Sequence, residues 1–269
     1  MERLGQHFLN DQKAVNATLK ATRPEKGDAV IEIGPGKGAL TLPLAELCKK
    51  TQCDFFAIEK DTKLAVLVAR DLTKKSIPGV IIQGDALRVL PELYERYPAL
   101  RGKKLIIVGN IPYYITGHLL RILSELEQRP KRTVLMVQDE VAERIAAEPG
   151  HMNLLAAATQ LWATPTVILR VPKTSFKPKP KVDSAIIVLT TKDIPDSFPK
   201  NQYYAAIKIL FRQPRKTLFN NLRAHKALSP DKAREMMDRF KIRETTRPQD
   251  LSLELLIKIV RALDDFRVI

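Results

Sequence analysis

The stretch Ala29-Val30-Ile31-Glu32-Ile33-Gly34-Pro35-Gly36-Lys37-Gly38 decides the fold of this chain. Its first five residues are mostly apolar and β-branched, which predicts a buried strand over 29–33. The glycines that follow predict a sharp turn, and the apolar spacing after them predicts a helix over 40–50. A strand, a glycine turn and a helix in this order form the opening unit of a parallel α/β sheet.

The same alternation of strand and helix continues along the chain. Further strands are predicted over 54–58, 79–82, 105–108 and 133–137, and a second helix over 62–73. Apolar strands separated by helices predict a parallel, doubly wound sheet of the Rossmann-like α/β class. After a helix over 153–163, two strand-like runs at 166–171 and 184–189 predict an antiparallel hairpin at the sheet edge.

The pattern changes after Thr190. The segment 192–199 is polar and contains two prolines, so it is predicted to be a linker. Beyond it the apolar spacing is helical, with helices predicted over 201–211, 215–223, 230–240 and 252–266. The predicted domains are therefore an α/β domain, residues 1–191, and a small all-helical domain, residues 192–269.

The composition favours an anionic partner. With 45 Lys and Arg against 30 Asp and Glu, the formal net charge is +15, an excess typical of proteins that bind nucleic acid. The N-terminus lacks the apolar core of a signal peptide, and no apolar run reaches the roughly 18 residues of a membrane span, which predicts a cytoplasmic protein without a membrane contact. Cys48 and Cys53 form a lone C-x4-C pair with no further His or Cys nearby, so no metal site is predicted.

Three predicted strand ends carry residues suited to an adenosine-bearing cofactor. Gly34 and Gly36 allow the backbone to turn sharply and a ligand to approach it closely. Glu59, after the second strand, is placed to accept hydrogen bonds from ribose hydroxyls, and Asp85, after the third strand, from the adenine amine. NAD and S-adenosylmethionine both carry these groups, so this pattern leaves both cofactors open.

The fourth strand end, Asn110-Ile111-Pro112-Tyr113, favours S-adenosylmethionine. A site for hydride transfer needs a general acid or base such as histidine, and this motif contains none. An adenine amine is a weak nucleophile because its lone pair is delocalised into the ring. The Asn110 side-chain oxygen can accept an amine hydrogen and stabilise the positive charge that develops during attack, while Tyr113 offers a ring on which the base can stack.

With these residues the chain resembles the S-adenosylmethionine-dependent adenine-N6 methyltransferases. Two longer motifs, Gly5 to Asp11 and Phe176 to Ser184, narrow the resemblance to the KsgA-type ribosomal RNA adenine dimethyltransferases. The resemblance extends from residue 5 to the C-terminal helices. It implies a class I methyltransferase sheet that binds the cofactor over residues 1–191 and a helical RNA-binding domain over residues 192–269.

The resemblance also implies a reaction and a partner. It implies dimethylation of two adjacent adenosines, in a hairpin near the 3′ end of small-subunit (16S) ribosomal RNA, during small-subunit biogenesis. The enzyme is expected to be a monomer that binds the small ribosomal subunit or its precursor.

The site residues follow from the same resemblance. Tyr113 and Phe176 are expected to flank an adenine that has left its stack. The expected catalytic residues are Asn110, Pro112, Tyr113 and Phe176. The expected S-adenosylmethionine contacts are His7, Leu9, Gly34, Gly36, Glu59, Lys60, Asp85, Ala86 and Asn110.

Basic residues mark the predicted contacts with RNA. Phe176 lies among lysines in a proline-rich loop, and a ring among cations is typical of an element that stacks a base and binds phosphates. The alternative is a solvated lysine loop whose phenylalanine anchors it to the core. The predicted RNA contacts are Lys177, Lys179, Lys181, Arg212, Arg215, Lys216 and Arg223.

Three other functions remain open at this point. They are a resistance-type dimethylase of large-subunit RNA, a non-catalytic RNA-binding assembly or transcription factor on the same fold, and an NAD-dependent oxidoreductase. The residues 182–184 and 215–218 are more similar to the small-subunit group. The chain departs from the family pattern at His7, in the loop 148–153, which lacks the usual Tyr-Gly, and at Pro214, where a second arginine is usual.

Overall fold

The structure, a computed structural model, describes residues 7–195, 198–224 and 228–265, apart from the side chains of Tyr113, Asp264 and Asp265. The chain divides into two compact units. The first comprises Met1–Ala142 and Thr164–Thr191, and the second comprises Glu143–Ala163 and Lys192–Ile269. Within the described ranges, no helix is long and apolar enough to cross a membrane.

The first unit is built around a seven-stranded sheet. The strands of the chain are β1 (Phe8–Leu9), β2 (Ala29–Ile33), β3 (Asp54–Glu59), β4 (Val80–Gln83), β5 (Leu105–Asn110), β6 (Arg132–Gln138), β7 (Ala163–Val171), β8 (Phe176–Lys177) and β9 (Ser184–Thr191). The large sheet has the order β4-β3-β2-β5-β6-β9-β7. Strands β2 to β6 pair in parallel, and β9 runs antiparallel to β6.

Helices connect these strands and build the second unit. They are α1 (Gln12–Thr22), α2 (Thr41–Thr51), α3 (Thr62–Lys74), α4 (Ala86–Val89), α5 (Leu93–Arg96), α6 (Thr116–Glu125), α7 (Asp139–Ile145), α8 (Leu154–Gln160), α9 (Lys200–Leu210), α10 (Leu218–Arg223), α11 (Pro230–Arg239) and α12 (Leu253–Asp265).

The core of the sheet explains the apolar strands. Every residue of β2 is buried, and in β5 all but the last residue are buried. Central parallel strands are covered on both faces, so both sets of alternating side chains must be apolar. The predicted α/β sheet is confirmed, and the predicted edge strands β7 and β9 are neighbours at one end of it.

A second, two-stranded sheet was not predicted. Strand β1 pairs antiparallel with β8, with Phe8 opposite Lys177 and Leu9 opposite Phe176. The pairing continues beyond the strands, because the Asn10 N–H donates to the Ser175 carbonyl at 2.7 Å. The Ser175 hydroxyl donates to the Asp11 carboxylate at 2.6 Å. The N-terminal segment is thereby joined to the start of the segment 172–183, which contains β8 and is called the lysine-rich loop below.

The second unit is helical in its described part, and it includes a segment that the sequence analysis assigned to the first domain. The domain boundary predicted after residue 191 coincides with a division between the units, but residues 143–163 belong to the helical unit. Ala156 and Ala157 are fully buried in its core, and the Tyr203 hydroxyl donates to the Ala157 carbonyl at 3.0 Å. The loop 148–153 is held in the same unit, because the Gly150 and Met152 N–H groups donate to the Gln249 carbonyl.

Candidate active site

A cavity of about 490 Å³ lies where β2, β3, β4 and β5 end. Its volume is within the range of roughly 300–1,000 Å³ that is usual for small-molecule sites. The carboxyl ends of the parallel strands meet at one edge of the sheet, which is where open α/β sheets bind ligands. Ten of the predicted site residues line the cavity: His7, Leu9, Gly34, Gly36, Glu59, Lys60, Asp85, Ala86, Asn110 and Pro112.

The glycine turn after β2 brings backbone to the cavity wall. Gly34 and Gly36 have φ angles of +68° and +57°, in the left-handed region that residues with a side chain rarely adopt. Gly36 has a second reason to be glycine, since a Cβ there would lie 3.3 Å from the ring of Phe8. The Lys37 ammonium lies 4.4 Å from the centre of the same ring. Strand β1 therefore packs on the glycine turn, and the sequence analysis missed this contact.

Glu59 is fixed at the end of β3 by two backbone donors. Its Oε2 accepts from the Gly36 N–H at 2.9 Å, and its Oε1 accepts from the Asp61 N–H at 2.9 Å. The side chain is only 4% exposed but lines the cavity. A carboxylate oxygen can accept more than one hydrogen bond. Glu59 can therefore hold the glycine turn and still accept bonds from ribose hydroxyls.

Asp85 and Lys60 form an ion pair on the cavity wall. The Lys60 ammonium donates to the Asp85 Oδ2 at 3.0 Å. The Asp85 Oδ1 accepts from the Leu87 N–H, so Asp85 caps the start of helix α4. Partial burial raises the pKa of Asp85, but the Lys60 ammonium and the Leu87 N–H outweigh it, so the pKa lies below its usual value. Asp85 is therefore ionised at neutral pH and acts as an acceptor.

Glu32 is an acidic residue of the cavity wall that the sequence analysis did not assign. It is the last residue but one of β2, is 1% exposed, and its Oε2 has no hydrogen-bond partner within the described residues. Burial raises its pKa to about 8; the nearby Thr41 hydroxyl opposes this rise and the charge of Glu59 adds to it. The Glu32 side chain is therefore mostly a neutral carboxylic acid at pH 7.

Asn110 is held by the N-terminal segment. Its Nδ2 donates to the His7 backbone carbonyl at 3.1 Å. This bond fixes the orientation of the amide, because a carbonyl oxygen can accept only from the NH₂ group. The His7 ring in turn donates from Nδ1 to the Pro178 carbonyl at 2.7 Å. The Oδ1 of Asn110 is thus the atom that is left to accept a hydrogen bond from a ligand.

A family model described as Ribosomal RNA adenine dimethylase matches residues 1–265 of the chain. The chain belongs to the ribosomal RNA adenine dimethylase family. Its methyl donor is S-adenosylmethionine, which excludes the oxidoreductase that the glycine turn alone left open.

Individual relatives agree with the family. The dimethylase is 36% identical to "Ribosomal RNA small subunit methyltransferase A" of Prosthecochloris aestuarii, over 88% of this chain and 87% of that protein. It is also 36% identical to the protein of the same name from Acidobacterium capsulatum, over 98% of this chain and 91% of that protein. A dimethyladenosine transferase from Plasmodium falciparum has the same fold, with a TM-score of 0.81 at 22% identity over 97% and 98% of the two chains. The 23S rRNA methyltransferase ErmE also shares the fold, with a TM-score of 0.74 at 22% identity over 96% and 99%.

The structure does not bring Phe176 of the dimethylase to the cavity. Phe176 is 2% exposed and packs in a core cluster with Leu9, Val15 and Val171. The buried ring corresponds to the alternative interpretation of the sequence, in which Phe176 anchors a solvated lysine loop to the core and does not stack a base. Tyr113 lies in the turn Tyr113–Ile115, and its side chain is outside the described residues.

The predicted RNA contacts of the dimethylase lie on both units and are all exposed. Three are in β8 or the loop after it, and four are in the helical unit: Lys177, Lys179 and Lys181, and Arg212, Arg215, Lys216 and Arg223. Exposure is what a phosphate contact requires, although it is also usual for lysine and arginine. Their role stays a prediction.

Proposed function

We propose that this dimethylase transfers methyl groups from S-adenosylmethionine to the N6 amines of two adjacent adenosines near the 3′ end of small-subunit ribosomal RNA. The observation that carries the proposal is the hydrogen bond from the Asn110 Nδ2 to the His7 carbonyl. The bond orients an amide oxygen on the cavity wall, and this supports the proposal that an amine is held there. Family membership supplies the rest of the proposal, ribosomal RNA and the methyl donor.

The cavity wall suits S-adenosylmethionine. Glu59 can accept from the ribose hydroxyls, Asp85 from the adenine amine, and the turn at Gly34 and Gly36 allows close approach of the ligand to the backbone. His7, Leu9, Lys60 and Ala86 complete the proposed contacts. When it is bound, S-adenosylmethionine supplies an electrophilic methyl group on a sulfonium.

Asn110 prepares the adenine amine for attack. When its Oδ1 accepts an amine hydrogen, the nitrogen lone pair is less delocalised into the ring. The same oxygen stabilises the positive charge that develops on the amine during the transfer. Because the amide is already oriented by the His7 carbonyl, little reorganisation is needed at that moment. The methylated amine cation is acidic enough to lose its proton to water, so the proposal needs no dedicated base.

Pro112 and Tyr113 are proposed to hold the target base beside Asn110. The turn is fixed on both sides, because the Ile111 N–H donates to the Met136 carbonyl at 3.0 Å and the Ile115 N–H donates to the Pro112 carbonyl at 3.1 Å. For Phe176 the stacking role stays a prediction, and its ring would have to leave the core cluster to meet a base. Chemistry at N6 requires an adenine that is unstacked or flipped out.

The relatives favour small-subunit RNA over large-subunit RNA. Two relatives that are 36% identical to this chain are named small subunit methyltransferases, whereas the similarity to the 23S enzyme is 22% and carries only the fold. We propose that the exposed Lys177, Lys179 and Lys181 and the basic residues of the helical unit bind phosphates of the same RNA. We further propose that the protein is a cytoplasmic monomer and that it acts on the small subunit or its precursor.

The direct test supplies labelled S-adenosylmethionine with undermethylated small subunits, large subunits and protein-free ribosomal RNA. The products are digested to nucleosides, and dimethyladenosine is quantified. The proposal predicts label in dimethyladenosine from small-subunit RNA. Label that appears only in large-subunit RNA contradicts the proposed substrate, and no label in dimethyladenosine contradicts the proposed reaction.

A further inference from the structure

Tyr114 is an exposed aromatic residue at the mouth of the cavity. It follows the Asn110–Tyr113 motif, lines the cavity, and is 74% exposed. A single exposed tyrosine on a surface is ordinary. Its position at the cavity is informative, because a solvent-exposed aromatic ring there is accessible for stacking with a ligand that binds in the cavity.

The exposure of Tyr114 is built into the fold of the turn. Ile111 and Thr116, which flank it along the chain, are 1% and 2% exposed. The hydrogen bonds of the Ile111 and Ile115 N–H groups fix the backbone between them. The turn is therefore anchored at both ends, and it presents the Tyr114 side chain outward.

Positively charged side chains line the same cavity as this ring. They are those of Lys37 and Lys60. Lys60 is itself largely exposed despite its ion pair with Asp85. An open aromatic face next to cationic side chains is the composition that binds single-stranded nucleic acid, with the ring stacking a base and the cations attracting phosphates.

We propose that Tyr114 stacks the base of the nucleotide adjacent to the adenine being methylated. The inference rests on the proposed function, in which the two targets are neighbours in the RNA. When one base leaves the stack to meet Asn110, its neighbour loses a stacking partner. Tyr114 replaces that partner, and it directly follows Tyr113, the residue proposed to hold the target base. It thereby positions the adenosine pair relative to the methyl donor.

The test combines three substitutions at Tyr114 with two readouts. Tyr114→Phe keeps the ring, whereas Tyr114→Leu and Tyr114→Ala remove it. The first readout is the KM for undermethylated small subunits. The second is the fluorescence of a short hairpin RNA in which 2-aminopurine replaces one of the two adjacent adenosines, because stacking quenches this base. The affinity for S-adenosylhomocysteine, measured by calorimetry, reports on the cofactor cavity.

Stacking of a base on an aromatic side chain is worth about 1–3 kcal/mol, so loss of the ring should raise KM about 5-fold to 100-fold. Tyr114→Phe should keep the KM and the quenching, and all variants should keep the cofactor affinity. Val66→Ala is the control, because Val66 is 63% exposed and does not line the cavity. Wild-type KM and quenching in Tyr114→Ala would overturn the inference. Failure of the wild type to methylate small subunits would instead contradict the proposed function, and the quenching would still test Tyr114.

Discussion

The side-chain amide of Asn110 donates a hydrogen bond of 3.1 Å to the backbone carbonyl of His7, 103 residues earlier in the chain. His7 directly precedes β1, and β1 pairs with β8 of the lysine-rich loop. One short segment therefore connects the proposed catalytic amide, the glycine turn under Phe8, and the loop proposed to bind RNA. This arrangement orients Asn110 before any substrate arrives.

Substitution of Gly36 is expected to impair cofactor binding. In Gly36→Ala the new Cβ would lie 3.3 Å from the Phe8 ring, at a φ of +57°. The Phe8 ring or the turn must shift by a few tenths of an ångström, and both form the cavity wall. We expect the Kd for S-adenosylhomocysteine to rise about 10-fold or more, as follows from a loss of about 1.4 kcal/mol, measured by calorimetry.

Gly27→Ala is the matched control for this substitution. Gly27 also has a positive φ, +85°, but a Cβ there would meet nothing within 4 Å, and the residue precedes β2 at the opposite edge of the sheet. Both variants should lose about 1 kcal/mol or more of stability through backbone strain. Only Gly36→Ala should lose cofactor affinity. Equal affinities in the two variants would show that the contact between Gly36 and Phe8 does not shape the site.

Glu32 should make the stability of the protein fall as the pH rises. Burial raises the pKa of Glu32 from 4.5 to about 8. Between these values the folded protein holds a proton that the unfolded chain has released. The stabilising contribution is complete below pH 4.5 and is lost as the pH rises toward 8, by at most about 1.4 kcal/mol per pH unit.

Urea denaturation of the wild type and Glu32→Gln between pH 5 and 9 measures this contribution. Glutamine stays neutral, so the stability of the variant relative to the wild type should increase with pH and level off above about pH 8. Glu46→Gln, on the exposed face of α2, should follow the wild-type pH profile. Parallel profiles for Glu32→Gln and the wild type would mean that Glu32 is ionised throughout.

The basic residues of the helical unit should affect how RNA binding depends on salt. Each phosphate contact that is removed lowers the slope of log K against log salt by about 0.7–1. We therefore expect Arg215→Gln combined with Lys216→Gln to bind small-subunit RNA more weakly and with a shallower slope. Filter binding from 50 to 300 mM salt measures both quantities.

A second pair of substitutions controls for net charge. Lys26 and Lys104 are exposed and precede β2 and β5, at the sheet edge opposite the cavity. Lys26→Gln combined with Lys104→Gln removes the same charge as the pair in the helical unit. If both pairs change the slope equally, general attraction, rather than contacts by Arg215 and Lys216, accounts for the binding.

The sequence predicted the large sheet because its strands are buried on both faces. The runs at 29–33 and 105–108 consist almost wholly of apolar residues, and the structure buries them as strands β2 and β5. The residues at the strand ends were predicted to line a site because the ends of parallel strands meet at one edge. The structure brings Gly34, Glu59, Asp85 and Asn110 to one cavity.

Other features depend on contacts between distant parts of the chain. Strand β1 has two residues, too few for a periodic pattern, and its pairing with β8 was not predicted. Phe176 lies among lysines in the sequence, but its ring packs in the core because β8 is joined to β1. Likewise, the apolar spacing of 153–163 predicted a helix but not its partner, which is the core around Tyr203.

Asn110→Ala tests most directly whether an amide oriented by His7 activates the adenine amine. The measurement is single-turnover transfer of labelled methyl to undermethylated small subunits, together with calorimetric affinity for S-adenosylhomocysteine. We expect a loss of transfer of about 100-fold or more, as for removal of a single group that stabilises transition-state charge, with most of the cofactor affinity kept. Asn16→Ala, on the exposed face of α1, should change neither quantity. Near-normal transfer by Asn110→Ala would show that Asn110 does not activate the amine.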